Sequence, residues 1–201
     1  MNRTIGCVVA SAALLAWPLT LAAAPKSSLQ QVMREVVGGF AQHDAAKVRR
    51  HIHPQYGYVY VSRSGAVPNL QVLRRQDFVF ATPYFGTQPR LQPRSRIRML
   101  SAAAMPKHDC ERWNKAGWYY RYTSREQPFS ALLRHQQQFE QMPSKTIQAQ
   151  LQRVQPLEAQ LVQMLYIGNS RNIGDELHLY FSKIGAQWYF SAYDNSGACA
   201  V

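Results

Sequence analysis

The chain has 201 residues, with 23 Lys and Arg against 11 Asp and Glu and a formal net charge of +12. After removal of an export segment roughly 178 residues remain, room for one domain with a proper core. The positive surplus favours acidic partners such as anionic lipid or acidic cell-wall polymers, while its dispersal along the chain and the export signal weigh against nucleic acid.

Residues 1–24 read as a secretory signal. Met1-Asn2-Arg3 is a cationic start, 4–21 is an uncharged, mainly apolar run, and Ala22-Ala23-Ala24 offers the small residues of a cleavage site. The run is as long as the shortest membrane spans, so an uncleaved anchor is the alternative; Pro18 and the alanines favour cleavage. No membrane span is then expected in the processed protein, which is placed in the periplasm or outside the cell. Cys7 leaves with the signal, so Cys110 and Cys199 remain and an oxidising compartment pairs them. Such a bridge closes a loop of roughly 90 residues, worth about 4–5 kcal/mol in the chain-entropy model.

Residues 25–201 are expected to form a single domain. Leu29, Val32, Met33, Val36, Val37 and Phe40 recur at helical spacing over 29–42, started by Ser28 with Gln31. Gly38-Gly39 inside this helix weakens it by roughly 1 kcal/mol per glycine and marks close packing of another element. Asp44 caps a short second helix, 45–52, stopped by Pro54. Residues 56–62 alternate as a strand, with Tyr56, Tyr58 and Tyr60 on one side and Gly57, Val59 and Val61 on the other. Residues 64–65 and 68–69 are turn chemistry, 70–80 is ambiguous between helix and strand, 82–93 is a loop, and 94–101 alternates weakly.

A strand follows at 117–123, with Trp118, Tyr120 and Tyr122 opposite Tyr119, Arg121 and Thr123. Two helices, 128–141 and 145–155, form an insertion spanning about 127–155, with Pro156 breaking or kinking the second. Three strand-like runs, 161–167, 176–183 and 187–193, close the chain, the last two joined as a hairpin through Ile184-Gly185-Ala186. These elements predict an α+β fold, a bent antiparallel sheet packed against amino-terminal helices.

The opening helix, then Phe40-Ala41-Gln42-His43-Asp44 and a second helix ending at Ile52-His53-Pro54, form one half of a resemblance. The other half is the hairpin of Leu177-His178-Leu179-Tyr180-Phe181 with Gln187-Trp188-Tyr189-Phe190. Together they resemble the nuclear transport factor two-like superfamily, in which a cone of helices wraps a strongly bent antiparallel sheet. His53-Pro54-Gln55-Tyr56-Gly57 before an alternating strand and Ser64-Gly65 looks like the uncharacterised exported bacterial branch. The resemblance covers about 60 residues at the two ends, and residues 80–160 do not match. It implies a fold used by enzymes, ligand binders and interaction modules alike.

Catalytic candidates are few. In enzymes of that superfamily a His–Asp pair inside the cone commonly acts as acid and base, and Asp44 with His51 or His53 could imitate it. His178, within a strand, would line a pocket with Tyr180, Tyr189 and Tyr193 if its face is concave; the plainer reading places it on the outer face. His51 and His53 could share a metal only in an extended segment, and His51 falls inside the expected helix. His108-Asp109-Cys110 adds ligand types, but Cys110 is assigned to the bridge. No metal or cofactor is expected. Tyr119, Arg121 and Arg125 make the best candidate for an exposed binding strip, mixing rings and cations as sugar-binding surfaces do.

The preferred reading is a non-enzymatic exported domain that engages an anionic envelope component or a protein partner through its sheet face or basic rim. The alternatives are a cone-pocket lyase or isomerase using histidine with a carboxylate, and an inhibitor or immunity-type protein covering an acidic target.

Overall fold

A computed structural model of the chain describes residues 27–63, 68–81, 95–123, 126–139, 142–171 and 174–197. The expected signal, Cys7, Arg94, Arg125 and Cys199 lie outside them, as does the expected loop at 82–93.

Helix α1, Leu29–Gln42, starts where Ser28 accepts a hydrogen bond from the Gln31 amide at 3.2 Å. Its apolar face is buried, and a side chain at Gly39 would sit 2.6 Å from the Val48 methyl of α2, Ala45–Arg49. The paired glycines therefore mark close packing, as their position inside an apolar stripe implies. Helix α2 is shorter than its expected 45–52. The Phe190 amide donates to the His51 carbonyl at 2.7 Å and Ile52 bridges Phe190. The segment after Arg49 is thus drawn off the helix onto the sheet.

Seven strands follow among the described residues: β1 Tyr58–Ser62, β2 Asn69–Leu73, β3 Ile97–Met99, β4 Gly117–Tyr122, β5 Leu161–Ile167, β6 Glu176–Ile184 and β7 Gln187–Asn195. They form one sheet in the order β2-β1-β7-β6-β5-β4-β3. Pairing is antiparallel except between β1 and β7 and between β3 and β4. The ambiguous 70–80 region becomes β2 and a short 3-10 turn, Arg75–Asp77. The β6–β7 hairpin turns at Gly185, φ 59°, and its register slips between Tyr180 and Phe181. Such a bulge bends and twists the ribbon that carries it.

The expected insertion is a helical pair, α3 Pro128–Phe139 and α4 Ser144–Glu158. Pro156 lies inside α4 rather than ending it, because the last turn is anchored on both sides. Leu157 is fully buried and its carbonyl accepts the Ser182 hydroxyl. Glu158, also buried, caps α3 by accepting the amides of Phe129 at 2.7 Å and Ser130 at 3.0 Å, and the Ser130 hydroxyl.

Strand alternation sorts the side chains into two cores. Tyr58, Trp118, Tyr120, Met164, Leu179, Phe181 and Phe190 pack against α1 and α2. Val59, Val61, Leu70, Leu161, Tyr180 and Ala192 pack against α3 and α4. Helices thus cover both faces of the sheet. Between the sheet and α1, aromatic rings fill the space a cone would leave open: Phe40 lies 5.2–6.1 Å from the rings of Phe78, Phe80, Phe190 and Tyr193.

Tyr56 departs from the expected alternation and packs with the α3–α4 core. Gly57 adopts φ 73°, where a Cβ would lie 1.9 Å from the Leu73 carbonyl oxygen. That left-handed residue turns the chain before β1 begins. Arg153 of α4 then ties the turn to β2, donating to the carbonyls of Tyr56, Val72 and Leu73 at 2.9–3.2 Å.

Candidate functional site

A histidine–carboxylate pair is present among the described residues, with a partner the sequence did not reveal. His51 Nε2 lies 2.8 Å from Glu35 Oε2, a residue on α1. His51 follows α2 in a turn, so it is not the helical residue expected. Burial holds its pKa below the ordinary 6.5 against the opposing pull of Glu35. His51, but not Glu35, lines a hollow of about 200 Å³ together with Val32, Arg50, Gln187, Trp188 and Tyr189. Chemically it offers a neutral imidazole with an acceptor beside it.

Asp44 and His53 do not join that pair. The Asp44 carboxylate accepts the Lys47 amide at 2.9 Å as the cap of α2. His53 Nδ1 accepts the amides of Gln55 and Tyr56, both at 3.2 Å, and its ring stacks on Tyr56 at 4.5 Å. Burial lowers its pKa as well. Its work is to hold the turn before β1.

His178 and Tyr180 sit on the face toward α3 and α4, away from Tyr193, whose ring belongs to the opposite core. The four residues expected to line one pocket are therefore divided by the sheet. Tyr180 packs 5.2 Å from Phe129, and its hydroxyl accepts from Gln163 at 3.2 Å; burial raises its pKa strongly. His178 lies 5.9 Å from Trp113, whose Nε1 donates to Glu176 at 3.3 Å. Trp113 packs on Leu165 and Ile167 and closes that end of the sheet.

The expected exposed strip is also different. Tyr119 is only 4% exposed, its hydroxyl donating to the Ala116 carbonyl at 2.6 Å. Arg121 forms a two-pronged pair with Glu126, at 2.6 and 2.8 Å, and donates through Nε to Gln163 at 2.7 Å. The pair raises the Arg121 pKa and lowers that of Glu126. Tyr119 and Arg121 do share one side of β4, opposite Trp118 and Tyr120, and that side is occupied. Arg96 and Arg98 are exposed at the β3 edge, with no ion pair among the described residues.

Among the described residues, no three His, Cys, Asp or Glu side chains gather in a way that could hold a metal ion. Asp109 instead accepts the amides of Glu111 and Arg112 in its own turn. No helix among those residues is long and apolar enough to cross a membrane. No protein-family model, curated protein or solved structure matches the chain.

Proposed function

We propose that the protein is an exported, non-enzymatic binding domain whose basic surface rests on an anionic component of the cell envelope. The observation that carries this is the employment of its carboxylates. Asp44, Asp109 and Glu158 cap backbone amides, Asp77 and Glu126 neutralise Arg74 and Arg121, and Glu35 sits against His51. Glu176 holds Trp113 and the Gly174 amide. Among the described residues, exposed cations such as Arg50, Arg96, Arg98, Arg134 and Lys145 form no ion pair, in a chain with about twice as many basic as acidic residues. A surface of this kind attracts polyanions with an affinity that falls as salt screens it. On a heparin matrix the processed protein is expected to bind at low ionic strength, and Arg96→Glu with Arg98→Glu to elute earlier. Passage of the wild-type protein through the matrix at low salt would contradict the proposal.

Export by residues 1–24, membership of the nuclear transport factor two-like superfamily and a Cys110–Cys199 bridge belong to the same proposal. The bridge is supported by Cys110 being disulfide-bonded. The family is supported by amino-terminal helices packed on a bent sheet, though helices covering the second face are a departure from the simple cone.

A second reading, a lyase or isomerase, is favoured by one observation, the His51–Glu35 pair whose histidine lines a hollow. It predicts turnover by the wild type, and not by His51→Asn, within a panel of small hydroxy- and oxo-compounds. A wild-type protein inert toward the whole panel would remove that reading.

A further inference from the structure

The two end strands of the sheet are protected very differently. Strand β3 is three residues long and carries Arg98 next to Arg96, both exposed; short length and charge discourage another strand from pairing. Strand β2, Asn69-Leu70-Gln71-Val72-Leu73, has neither charge nor proline, and its outer edge pairs with no strand among the described residues. Alongside it runs a groove of about 470 Å³, between β2 and the α3–α4 pair.

Gln136 and Gln150 line this groove, and the side-chain carbonyl oxygen of each is buried without a hydrogen-bond partner. Gln136 is only 1% exposed. A buried acceptor without a donor costs about 1–3 kcal/mol, so two beside an open strand edge indicate donors supplied from outside. None of the side chains lining the groove is ionisable. Arg153 already takes the Val72 and Leu73 carbonyls, leaving 69–71 as the open stretch.

We infer that this edge is a docking site for an extended, uncharged peptide segment of another polypeptide. The segment adds a strand along 69–71 and presents amide or hydroxyl donors to Gln136 and Gln150. Strand addition supplies main-chain hydrogen bonds, and alternate side chains facing the groove supply selectivity. A second copy of this chain is a poorer occupant. Antiparallel two-fold pairing of β2 with itself keeps the faces matched, so Leu70 and Val72, which lie toward α3 and α4, would meet the glutamines. Neither can donate.

The test uses a phage-displayed library of random heptapeptides selected against the folded, processed protein. Selected sequences are expected to be uncharged, with Asn, Gln, Ser or Thr at alternate positions, and to slow amide exchange over 69–73. Gln136→Leu and Gln150→Leu are each expected to weaken them roughly tenfold, the loss of one good hydrogen bond. The same substitutions should leave the melting temperature equal or higher, since each removes an unsatisfied buried group; a purely structural glutamine would lower it. Gln71→Lys, at an exposed position, provides a second variant that should block pairing without disturbing the core. Three results would overturn the inference: no enrichment, acidic peptides displaced by salt and indifferent to both leucine variants, or slowed exchange over 69–73 that tracks protein concentration through self-association.

Discussion

His51 and His53 stand two residues apart and are held neutral by different surroundings. His51 is enclosed between α1 and the start of β7, and His53 uses Nδ1 as an acceptor for two backbone amides. Both have folded-state pKa values below the ordinary 6.5, with burial as the leading cause. The unfolded chain therefore takes up protons first on acidification. The stability they contribute is complete above pH 6.5 and is lost as pH falls through the depressed values. Urea midpoints should decline from neutral pH toward about pH 5, and His51→Gln with His53→Asn should flatten that decline. An unchanged slope would show that other groups govern it. At position 53 the acceptor matters more than the ring: His53→Asn keeps an oxygen for the two amides, whereas His53→Ala should cost about 1–2 kcal/mol in chemical denaturation. Equal losses in both variants would assign the effect to stacking on Tyr56.

At the scale of elements, α3 and α4 are joined by a buried carboxylate rather than by apolar contact alone. Glu158→Ala leaves the first amides of α3 and the Ser130 hydroxyl without an acceptor, and about 3 kcal/mol should be lost. Arg153→Met removes the donor to three carbonyls around Gly57 and β2, a loss of about 2 kcal/mol, with faster amide exchange expected at 56–58. A stability within error of wild type for either variant would contradict these assignments. Helix α1 was legible because its stripe and cap are local, and the β6–β7 hairpin because alternation flanks a glycine turn. The end of α2 was not, because Phe190, far along the chain, draws residues 51–52 onto the sheet. Tyr56 was misplaced because one left-handed glycine reverses the parity of everything before it. In β4 the parity was readable, but the contacts of Tyr119 with Lys115 and Ala116 and of Arg121 with Glu126 and Gln163 leave no periodic mark. Glu35 and Glu126 were missed as partners because a contact made by folding has no spacing in sequence.

For the molecule as a whole, two helical layers and an aromatic filling cover the sheet faces among the described residues, which is why the proposed binding is assigned to edges and rim. The α+β architecture was readable from element order, and the helices among the described residues from their stripes or, for α2, its cap. The side on which the inserted pair packs was not, since an amphipathic helix declares an apolar face and not its destination. The charge was plain from composition; its meaning changed once several carboxylates proved to be engaged with amides or cations of the same chain. Sedimentation of the processed protein with vesicles, neutral or containing anionic lipid, tests this account most directly. The protein should pellet with the anionic vesicles at low ionic strength, stay in solution with neutral ones, and be released at high salt. Equal pelleting with both kinds of vesicle, or none with either at low salt, would contradict it.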